Sequence, residues 1–371
     1  MAGSRRITAA VIRRKGGPFR IEELSLDPPR AGEAVIRIVA TGMCHTDLLI
    51  RDDPGSGPIV LGHEGAGVVE RVGARVTKVK AGDHVVLTFP SCGRCRRCLE
   101  GRQANCEDEN IDSFSGVRPD GSGGIHDGTK PVRGRFFAQS SFATYALATE
   151  RNMVKVPTDV PLELLGPLGC GIQTGAGAVM NSFAASTGSS IAVFGSGAVG
   201  MSAVLAARVV GCATIVAVDI VPARLNLARK LGATHVVNSR TEDPVEAIRA
   251  IAAQGLDFVL DTTGRPDVVR KAFETLGSRG TLGLVGASPE GARLGIGLGE
   301  VLGGGKRIIG IIEGDSVPDL FIPRLIELWR QGRFPFDKLV RFYRLEQINE
   351  AAADSERGAA IKPILRIGPT P

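Results

Sequence analysis

The chain has 371 residues, of which 43% are hydrophobic and 23% charged, the composition of an ordinary globular protein. This length predicts two domains, because single hydrophobic cores rarely grow so large. The formal charge is +6, but the 45 Lys and Arg residues form no basic run, so we expect no nucleic-acid partner. No apolar stretch approaches the roughly 18 residues that span a bilayer, so we expect no membrane partner either.

The N-terminal residues carry charges on both sides of a very short apolar stretch and contain no secretory signal. We therefore expect a cytoplasmic protein. Thiols stay reduced in that compartment, so the seven cysteines indicate metal binding or catalysis rather than disulfide bonds.

The first 160 residues contain short β-rich segments separated by glycine, at residues 32–42, 65–73, 82–89 and 142–149. This pattern favours a partly open barrel over a parallel sheet. Residues 107–135 are polar and rich in Gly and Asp, which predicts a long surface loop or an insertion.

After about residue 172, apolar strands alternate with amphipathic helices. The predicted strands are residues 191–194, 214–219, 235–238, 257–261, 281–286 and 307–312. Helices are predicted at residues 198–210, 222–232, 244–253 and 266–276. This alternation indicates an α/β, doubly wound parallel sheet, and six strands complete a dinucleotide-binding fold. A further helix at 319–332 leads into a tail that we expect to rejoin the first domain.

A glycine-rich turn links the first of these strands to its helix. Gly195 permits the tight turn, Gly197 lets the backbone approach a pyrophosphate, and Gly200 allows close packing of helix on strand. Asp219 ends the next strand, where a carboxylate accepts hydrogen bonds from the adenosine ribose and repels a 2′-phosphate. The alternative is that Asp219 only caps the next helix. The glycine turn between strand and helix, followed by Asp219, favours NAD over NADP. Arg224 is either a further contact to the ribose or an exposed helix residue without that role.

Four cysteines lie within fifteen residues: Cys92, Cys95, Cys98 and Cys106. Four thiolates at these spacings predict a closed tetrahedral zinc site, which is structural because no position stays open for substrate. Two other kinds of site are alternatives. An iron–sulfur cluster is also held by four cysteines, and a zinc ribbon that binds nucleic acid has the same short spacings between cysteine ligands. Neither alternative explains the dinucleotide pattern downstream.

Three further candidate ligands are far apart in the sequence: Cys44, His63 and Cys170. Considered one at a time, each would be interpreted as a packed core residue. Together they supply two thiolates and one imidazole, a set that leaves the fourth position of a zinc ion open.

From about Val35 to Arg366 the chain resembles the medium-chain, zinc-containing alcohol dehydrogenase family. The landmarks are the four-cysteine stretch and the segments GMCHTD (42–47), GHEGAGVVERVG (62–73), GCGIQTGAGAV (169–179), GSGAVG (195–200) and IKPILRI (361–367). Within the family it is most similar to aryl-alcohol (benzyl alcohol) dehydrogenases, at residues 137–147, 168–181 and 310–340.

The resemblance implies a β-rich, GroES-like catalytic domain over residues 1–171, with a structural zinc lobe at about 91–107. It implies a six-stranded Rossmann domain over residues 172–313 and a return to the catalytic domain over 314–371.

The resemblance also implies that Cys44, His63 and Cys170 bind a catalytic zinc. Asp47 would orient His63, and Glu64 would lie just beyond the ligands, where carboxylates tune ligand geometry and basicity.

Thr46 matches the hydroxyl that hydrogen-bonds the substrate alcohol. Several family members continue the proton relay to a histidine five residues after the first cysteine ligand, where this chain has Leu49. His45 occupies a position often filled by an arginine that contacts the pyrophosphate, and it is a candidate for that contact, for a proton acceptor, or for both. Lys362 matches a basic residue of the tail that also reaches the pyrophosphate.

The function thus implied is reversible oxidation of a primary aromatic or allylic alcohol to the aldehyde, with hydride transfer to NAD and two zinc ions per chain. The alternatives are a glutathione-adduct formaldehyde dehydrogenase, an aliphatic or terpene alcohol dehydrogenase and, remotely, a non-catalytic zinc ribbon. The expected partners are a small alcohol or aldehyde and further copies of the chain, with a dimer favoured over a tetramer.

Overall fold

The structure, a computed structural model, describes residues 3–367. Contacts within the chain divide it into two compact units. Unit 1 holds the residues up to 170, residues 317–324 and the residues from 337 onwards, and unit 2 holds residues 171–316 and 325–336. The sequence assigns Gly171 and all of 314–371 to the first domain. Gly171, residues 314–316 and residues 325–336 belong instead to unit 2, in which Trp329 and Phe334 both pack against Phe336.

The strands, in chain order, are β1 (Arg5–Ile12), β2 (Arg20–Leu26), β3 (Glu33–Gly42), β4 (Ile59–Val60), β5 (Glu64–Val72), β6 (His84–Leu87), β7 (Gly124–Asp127), β8 (Lys130–Arg133), β9 (Tyr145–Thr149), β10 (Met153–Lys155), β11 (Ser190–Phe194), β12 (Thr214–Asp219), β13 (His235–Asn238), β14 (Leu256–Asp261), β15 (Leu276–Leu284), β16 (Arg307–Gly310), β17 (Val340–Arg344) and β18 (Lys362–Arg366).

The α-helices are α1 (His45–Asp52), α2 (Arg96–Leu99), α3 (Leu162–Leu165), α4 (Gly171–Gly177), α5 (Ala198–Val210), α6 (Pro222–Leu231), α7 (Pro244–Ile251), α8 (Pro266–Glu274), α9 (Leu298–Gly304), α10 (Pro318–Arg330) and α11 (Ile348–Glu356). Among the described residues, no helix combines the length and the apolarity needed to cross a bilayer.

Unit 1 is built from two sheets. Strands β1, β2, β7, β8 and β4 close a small barrel in that order. A seven-stranded sheet runs β10–β6–β5–β3–β18–β17, with β9 paired to β3. Strand β18 lies antiparallel to β3, so the C-terminal tail rejoins this unit as the sequence predicts.

Two expectations for unit 1 need correction. The glycine-punctuated segments predicted to form a partly open barrel (β3, β5, β6 and β9) lie in the seven-stranded sheet instead. The closed barrel uses β7 and β8, which form a hairpin inside the predicted surface loop 107–135. This hairpin escapes sequence analysis because its strands are only four residues long and its partners β2 and β4 are distant in the chain.

Unit 2 contains one sheet of six parallel strands in the order β13–β12–β11–β14–β15–β16. Its central strands are buried on both faces, which is why they read as continuous apolar runs. Proline opens α6, α7 and α8, and Asp243 caps α7 by accepting hydrogen bonds from two backbone N–H groups. The six-stranded, doubly wound prediction is confirmed, and the carboxyl ends of β11 and β12 meet at one edge.

Candidate functional site

One metal-binding candidate lies wholly within unit 1. It comprises Cys44, His63, Glu64 and Cys170, hereafter the Cys44 cluster, and one ligand atom from each lies within 4.8 Å of the others. Cys44 immediately precedes α1, and Glu64 begins β5, with His63 just before it. The fold therefore brings together the three dispersed residues that the sequence singled out.

A buried carboxylate ties two members of this cluster together. Asp47 Oδ2 accepts a hydrogen bond from the backbone N–H of Cys44 at 2.9 Å. Its Oδ1 accepts from the backbone N–H of Gly62 at 3.0 Å and lies 2.9 Å from Nδ1 of His63. Because Nδ1 donates to this carboxylate, the imidazole presents a lone pair at Nε2.

The residues of the Cys44 cluster fit a zinc ion. His63 is fully buried, and its Nε2 has no hydrogen-bond partner among residues 3–367. A hydrogen bond with Cys170 holds the pKa of the Cys44 thiol well below its usual value, and His63 and Lys362 act in the same direction. Metal ligation needs thiolates and an imidazole nitrogen with a free lone pair, so this nitrogen beside the acidic Cys44 thiol matches what zinc requires.

Glu64 forms a buried ion pair with Lys362. The ammonium lies 2.8 and 2.9 Å from the two Glu64 oxygens and 3.3 Å from the carbonyl oxygen of Met43. Burial alone would lower the pKa of Lys362, but the charges of Glu64, Cys44 and Cys170 and the hydrogen bond to Glu64 together outweigh burial and raise that pKa. A pyrophosphate contact for Lys362 stays a prediction, since the hydrogen bonds of its ammonium go to Glu64 and Met43.

The residues proposed for proton transfer lie on the first turn of α1. Thr46 Oγ1 is 3.8 Å from Cys44 Sγ, so this hydroxyl borders the Cys44 cluster. His45 is exposed, and Leu49 is 42% exposed at the position where the sequence lacks a relay histidine. On this turn, Thr46 therefore borders the Cys44 cluster and His45 lies at the protein surface.

The second metal-binding candidate is formed by Cys92, Cys95, Cys98 and Cys106, hereafter the four-cysteine lobe. Their sulfur atoms all lie within 4.8 Å of one another. Backbone N–H groups of Cys98 and Glu107 point at Cys95 Sγ, at 3.5 and 3.4 Å, and they lower the pKa of Cys95 to about 6. Four converging thiols fit a closed tetrahedral zinc site.

The glycine turn follows β11 in unit 2. Gly195 has a φ of +95°, and a Cβ on Gly200 would lie 1.9 Å from the Gly195 carbonyl oxygen, so both positions require glycine. Asp219 Oδ2 accepts a hydrogen bond from the Ser196 N–H at 2.6 Å, joining the turn to the end of β12. Arg224 Nη1 lies 3.9 Å from the same carboxylate. The structure therefore groups the predicted cofactor residues of this unit at one edge of its sheet.

Sequence analysis missed three residues that support these sites. Thr262 Oγ1 lies 3.0 Å from the carbonyl oxygen of Phe194 and 3.1 Å from that of Gly195, at the glycine turn. Phe137 stacks on His63, and Gln139 donates to the His63 carbonyl oxygen. Of the three, only Thr262 lies in a recognisable sequence pattern, the segment Asp-Thr-Thr-Gly (261–264) at the carboxyl end of β14. Nothing in the local pattern marks the other two.

Comparison with known proteins agrees with this geometry. Residues 30–158 match the alcohol dehydrogenase GroES-like domain, and residues 198–329 match the zinc-binding dehydrogenase domain. A geraniol dehydrogenase from Castellaniella defragrans is 47% identical over 360 residues, which cover 96% of each chain.

Two crystal structures are similar over nearly the whole chain. An alcohol dehydrogenase zinc-binding domain protein from Burkholderia ambifaria shares 56% identity with a TM-score of 0.96, covering 98% of this chain and 100% of that one. Benzyl alcohol dehydrogenase from Acinetobacter calcoaceticus shares 48% identity with a TM-score of 0.94 and the same coverage. The chain belongs to the zinc-containing alcohol dehydrogenases, a family of oxidoreductases that use zinc and a nicotinamide cofactor.

Proposed function

We propose that this enzyme oxidises primary allylic or benzylic alcohols to aldehydes, reversibly and with NAD. The observation that carries the proposal is the Cys44 cluster, in which two thiols lie within 4.8 Å of an imidazole whose Nε2 has no hydrogen-bond partner in the described part of the chain. The relatives named above act on geraniol and on benzyl alcohol. Both alcohols carry their hydroxyl on a carbon next to a double bond or a ring, so one substrate class accommodates both.

In the proposed mechanism, Cys44, His63 and Cys170 would hold the catalytic zinc beside the alcohol substrate. Zinc, when bound there, lowers the pKa of the alcohol toward neutrality. Thr46 Oγ1 accepts the hydroxyl proton as it releases its own, and His45 receives the released proton and passes it to solvent. NAD, when bound, would accept hydride from the carbinol carbon, so one alcohol and one NAD would yield one aldehyde, one NADH and one proton.

Asp219 supports NAD over NADP. Its carboxylate is buried at the end of β12 and is fixed by backbone N–H groups of Ser196, Ile220 and Val221. A carboxylate held there hydrogen-bonds ribose hydroxyls and repels a 2′-phosphate. Arg224 accompanies it as a candidate ribose contact.

We also propose that the four-cysteine lobe holds a second, structural zinc, and that the chain forms a homo-oligomer. Leu298 and Leu302 of α9 are 89% and 83% exposed and lie one helical turn apart. Strand β16, which follows α9 in the chain, is at the edge of the unit 2 sheet. An exposed apolar pair together with an open sheet edge favours pairing with a second copy.

The test measures zinc content and NADH formation on the same preparation. Benzyl alcohol, geraniol, ethanol and hydroxymethylglutathione are compared by kcat/KM, with NAD and with NADP. We expect close to two zinc ions per chain, preference for the first two alcohols, and preference for NAD. Preference for ethanol or for the glutathione adduct would contradict the substrate class. Activity that survives loss of zinc from the Cys44 cluster would contradict the proposed role of that cluster.

A further inference from the structure

The segment Phe136–Phe142 runs beside His63 with an unusual backbone. Three of its residues other than glycine have left-handed φ values: 49° at Phe137, 55° at Ala138 and 52° at Ser140. Residues with a Cβ pay for this conformation and keep it only where the surroundings enforce it. Strained segments of this kind are concentrated at functional sites.

The same segment clamps the backbone around His63. The fully buried Gln139 donates from Nε2 to the carbonyl oxygen of His63 at 2.9 Å and accepts at Oε1 from the N–H of Gly65 at 3.1 Å. The N–H of Ser141 donates to the carbonyl oxygen of Gly62 at 2.9 Å. Peptide groups on both sides of His63 are therefore fixed by residues about 75 positions later in the chain.

Two aromatic rings fix the imidazole itself. The ring of Phe137 stacks on it, with centroids 4.5 Å apart and planes inclined by 25°. Phe136 meets it edge-on at 5.4 Å and 83°. Stacking sets the plane of the imidazole, and the contact between Nδ1 and Asp47 sets its rotation within that plane. With both fixed, Nε2 can point only toward the thiols of the Cys44 cluster.

The strained backbone explains how neighbouring residues reach one target. Successive side chains of an extended strand point to opposite faces. Here Phe136, Phe137 and Gln139 all contact His63. The left-handed residues turn the chain so that three of four consecutive side chains contact His63.

We propose that Phe137 and Gln139 are positioning residues that hold His63 in its ligating orientation and thereby slow the loss of the catalytic-site metal. This rests on the proposed function, in which His63 is a zinc ligand. Neither residue supplies a ligand atom to the Cys44 cluster, so we expect their effect to appear first in metal retention. Groups that orient a metal-bound histidine commonly influence metal affinity by one to two orders of magnitude.

The test follows zinc release from the zinc-loaded, full-length protein to a chromogenic chelator. The kinetic phase that is missing from Cys44→Ser identifies the catalytic-site zinc, and the phase from the four-cysteine lobe serves as an internal control. In Phe137→Leu we expect the catalytic-site phase to be about three- to tenfold faster, the range expected for loss of one aromatic contact. Gln139→Met, which removes the clamp but keeps the side-chain length, should act in the same direction. Phe137→Tyr, which keeps the ring, should restore slow release.

The matched control is Phe19→Leu. Phe19 is a buried ring of unit 1 that meets Phe142 edge-on at 5.7 Å and makes no ring contact with His63 among the described residues. We expect Phe19→Leu to lower the unfolding temperature about as much as Phe137→Leu while leaving zinc release unchanged. As a second readout, the visible absorption of the cobalt-substituted enzyme should change in Phe137→Leu and not in Phe19→Leu, because it reports ligand geometry.

An unchanged release rate and cobalt spectrum in Phe137→Leu would overturn the inference while leaving the proposed function intact. Equal acceleration in Phe19→Leu would also overturn it, since the effect would then be loss of core packing. A wild-type protein without a Cys44-dependent zinc would contradict the proposed function itself, and the inference with it.

Discussion

Asp47 and His63, sixteen positions apart in the chain, share a hydrogen bond of 2.9 Å in which both side chains are fully buried. The second carboxylate oxygen of Asp47 accepts from the N–H of Cys44, also at 2.9 Å. One carboxylate thus orients the imidazole and anchors the backbone of a neighbouring thiol. The two candidate ligands cannot shift independently of each other.

Asp47→Asn should therefore weaken zinc binding at the Cys44 cluster. In the asparagine amide only the oxygen accepts hydrogen bonds, because the NH2 group is a donor. Either the His63 imidazole or the backbone N–H of Cys44 therefore loses its acceptor. We expect about 10- to 100-fold weaker zinc affinity at this site. Competition with a chelator of known affinity measures it, and the zinc of the four-cysteine lobe is the control. Equal weakening at both sites would indicate general unfolding and contradict the local role.

Asp219→Asn should reduce the preference for NAD. The substitution keeps the shape of the side chain but removes the charge that binds ribose hydroxyls and repels a 2′-phosphate. Hydrogen bonds to charged groups contribute about 1.5–3 kcal/mol. We therefore expect kcat/KM for NAD to fall roughly 10- to 100-fold and kcat/KM for NADP to rise.

The matched control for Asp219→Asn is Asp243→Asn. Asp243 also accepts hydrogen bonds from backbone N–H groups at the start of a helix in unit 2. Its substitution should leave the ratio of the two kcat/KM values unchanged. An unaltered ratio in Asp219→Asn would remove the basis for the NAD assignment.

Lys362→Met should destabilise the fold by leaving Glu64 buried without its counter-ion. Both side chains are nearly inaccessible, at 2% and 0% exposure. Breaking a buried pair costs about 3–5 kcal/mol, whereas replacing both partners is often far less damaging. The double variant Lys362→Met/Glu64→Gln should therefore recover much of the loss in urea unfolding. Additive losses would show that the two side chains are not coupled.

The same ion pair predicts a pH dependence at high pH. The pKa of Lys362 is raised above its ordinary value of 10.5, so folding favours the protonated ammonium. This contribution is complete below pH 10.5 and is lost as the pH rises through the raised pKa of the folded state. The difference in unfolding free energy between wild type and Lys362→Met should narrow above that pH. A constant difference would contradict the raised pKa.

Leu298→Lys/Leu302→Lys should reduce self-association. Both side chains are largely exposed on α9, so replacing them costs the isolated chain little. Burial of like charges in an interface would oppose assembly. Light scattering after size-exclusion chromatography should show a smaller species, while Leu99→Lys, at a 75% exposed residue of α2, should not change the mass. An unchanged oligomer in the double variant would place the interface elsewhere.

The sequence by itself determined those features whose causes are local in the chain. The central strands of unit 2 were predictable because parallel strands buried on both faces must be apolar throughout. The glycine turn was predictable because Gly195 and Gly200 meet steric demands within six residues. The four-cysteine lobe was predictable because fifteen residues bring all four of its thiols together.

Tertiary structure decided what depends on distant strand pairings. Lys362 reaches Glu64 across 298 positions because β18 pairs with β3 beside β5. The resemblance named Cys44, His63 and Cys170, but only packing brings their ligand atoms within 4.8 Å. The clamp from Phe137 and Gln139 had no local sign, because strain and stacking depend on which segments meet. Spacing along the chain shows which residues are close in sequence, whereas strand register and side-chain packing determine which residues are close in space.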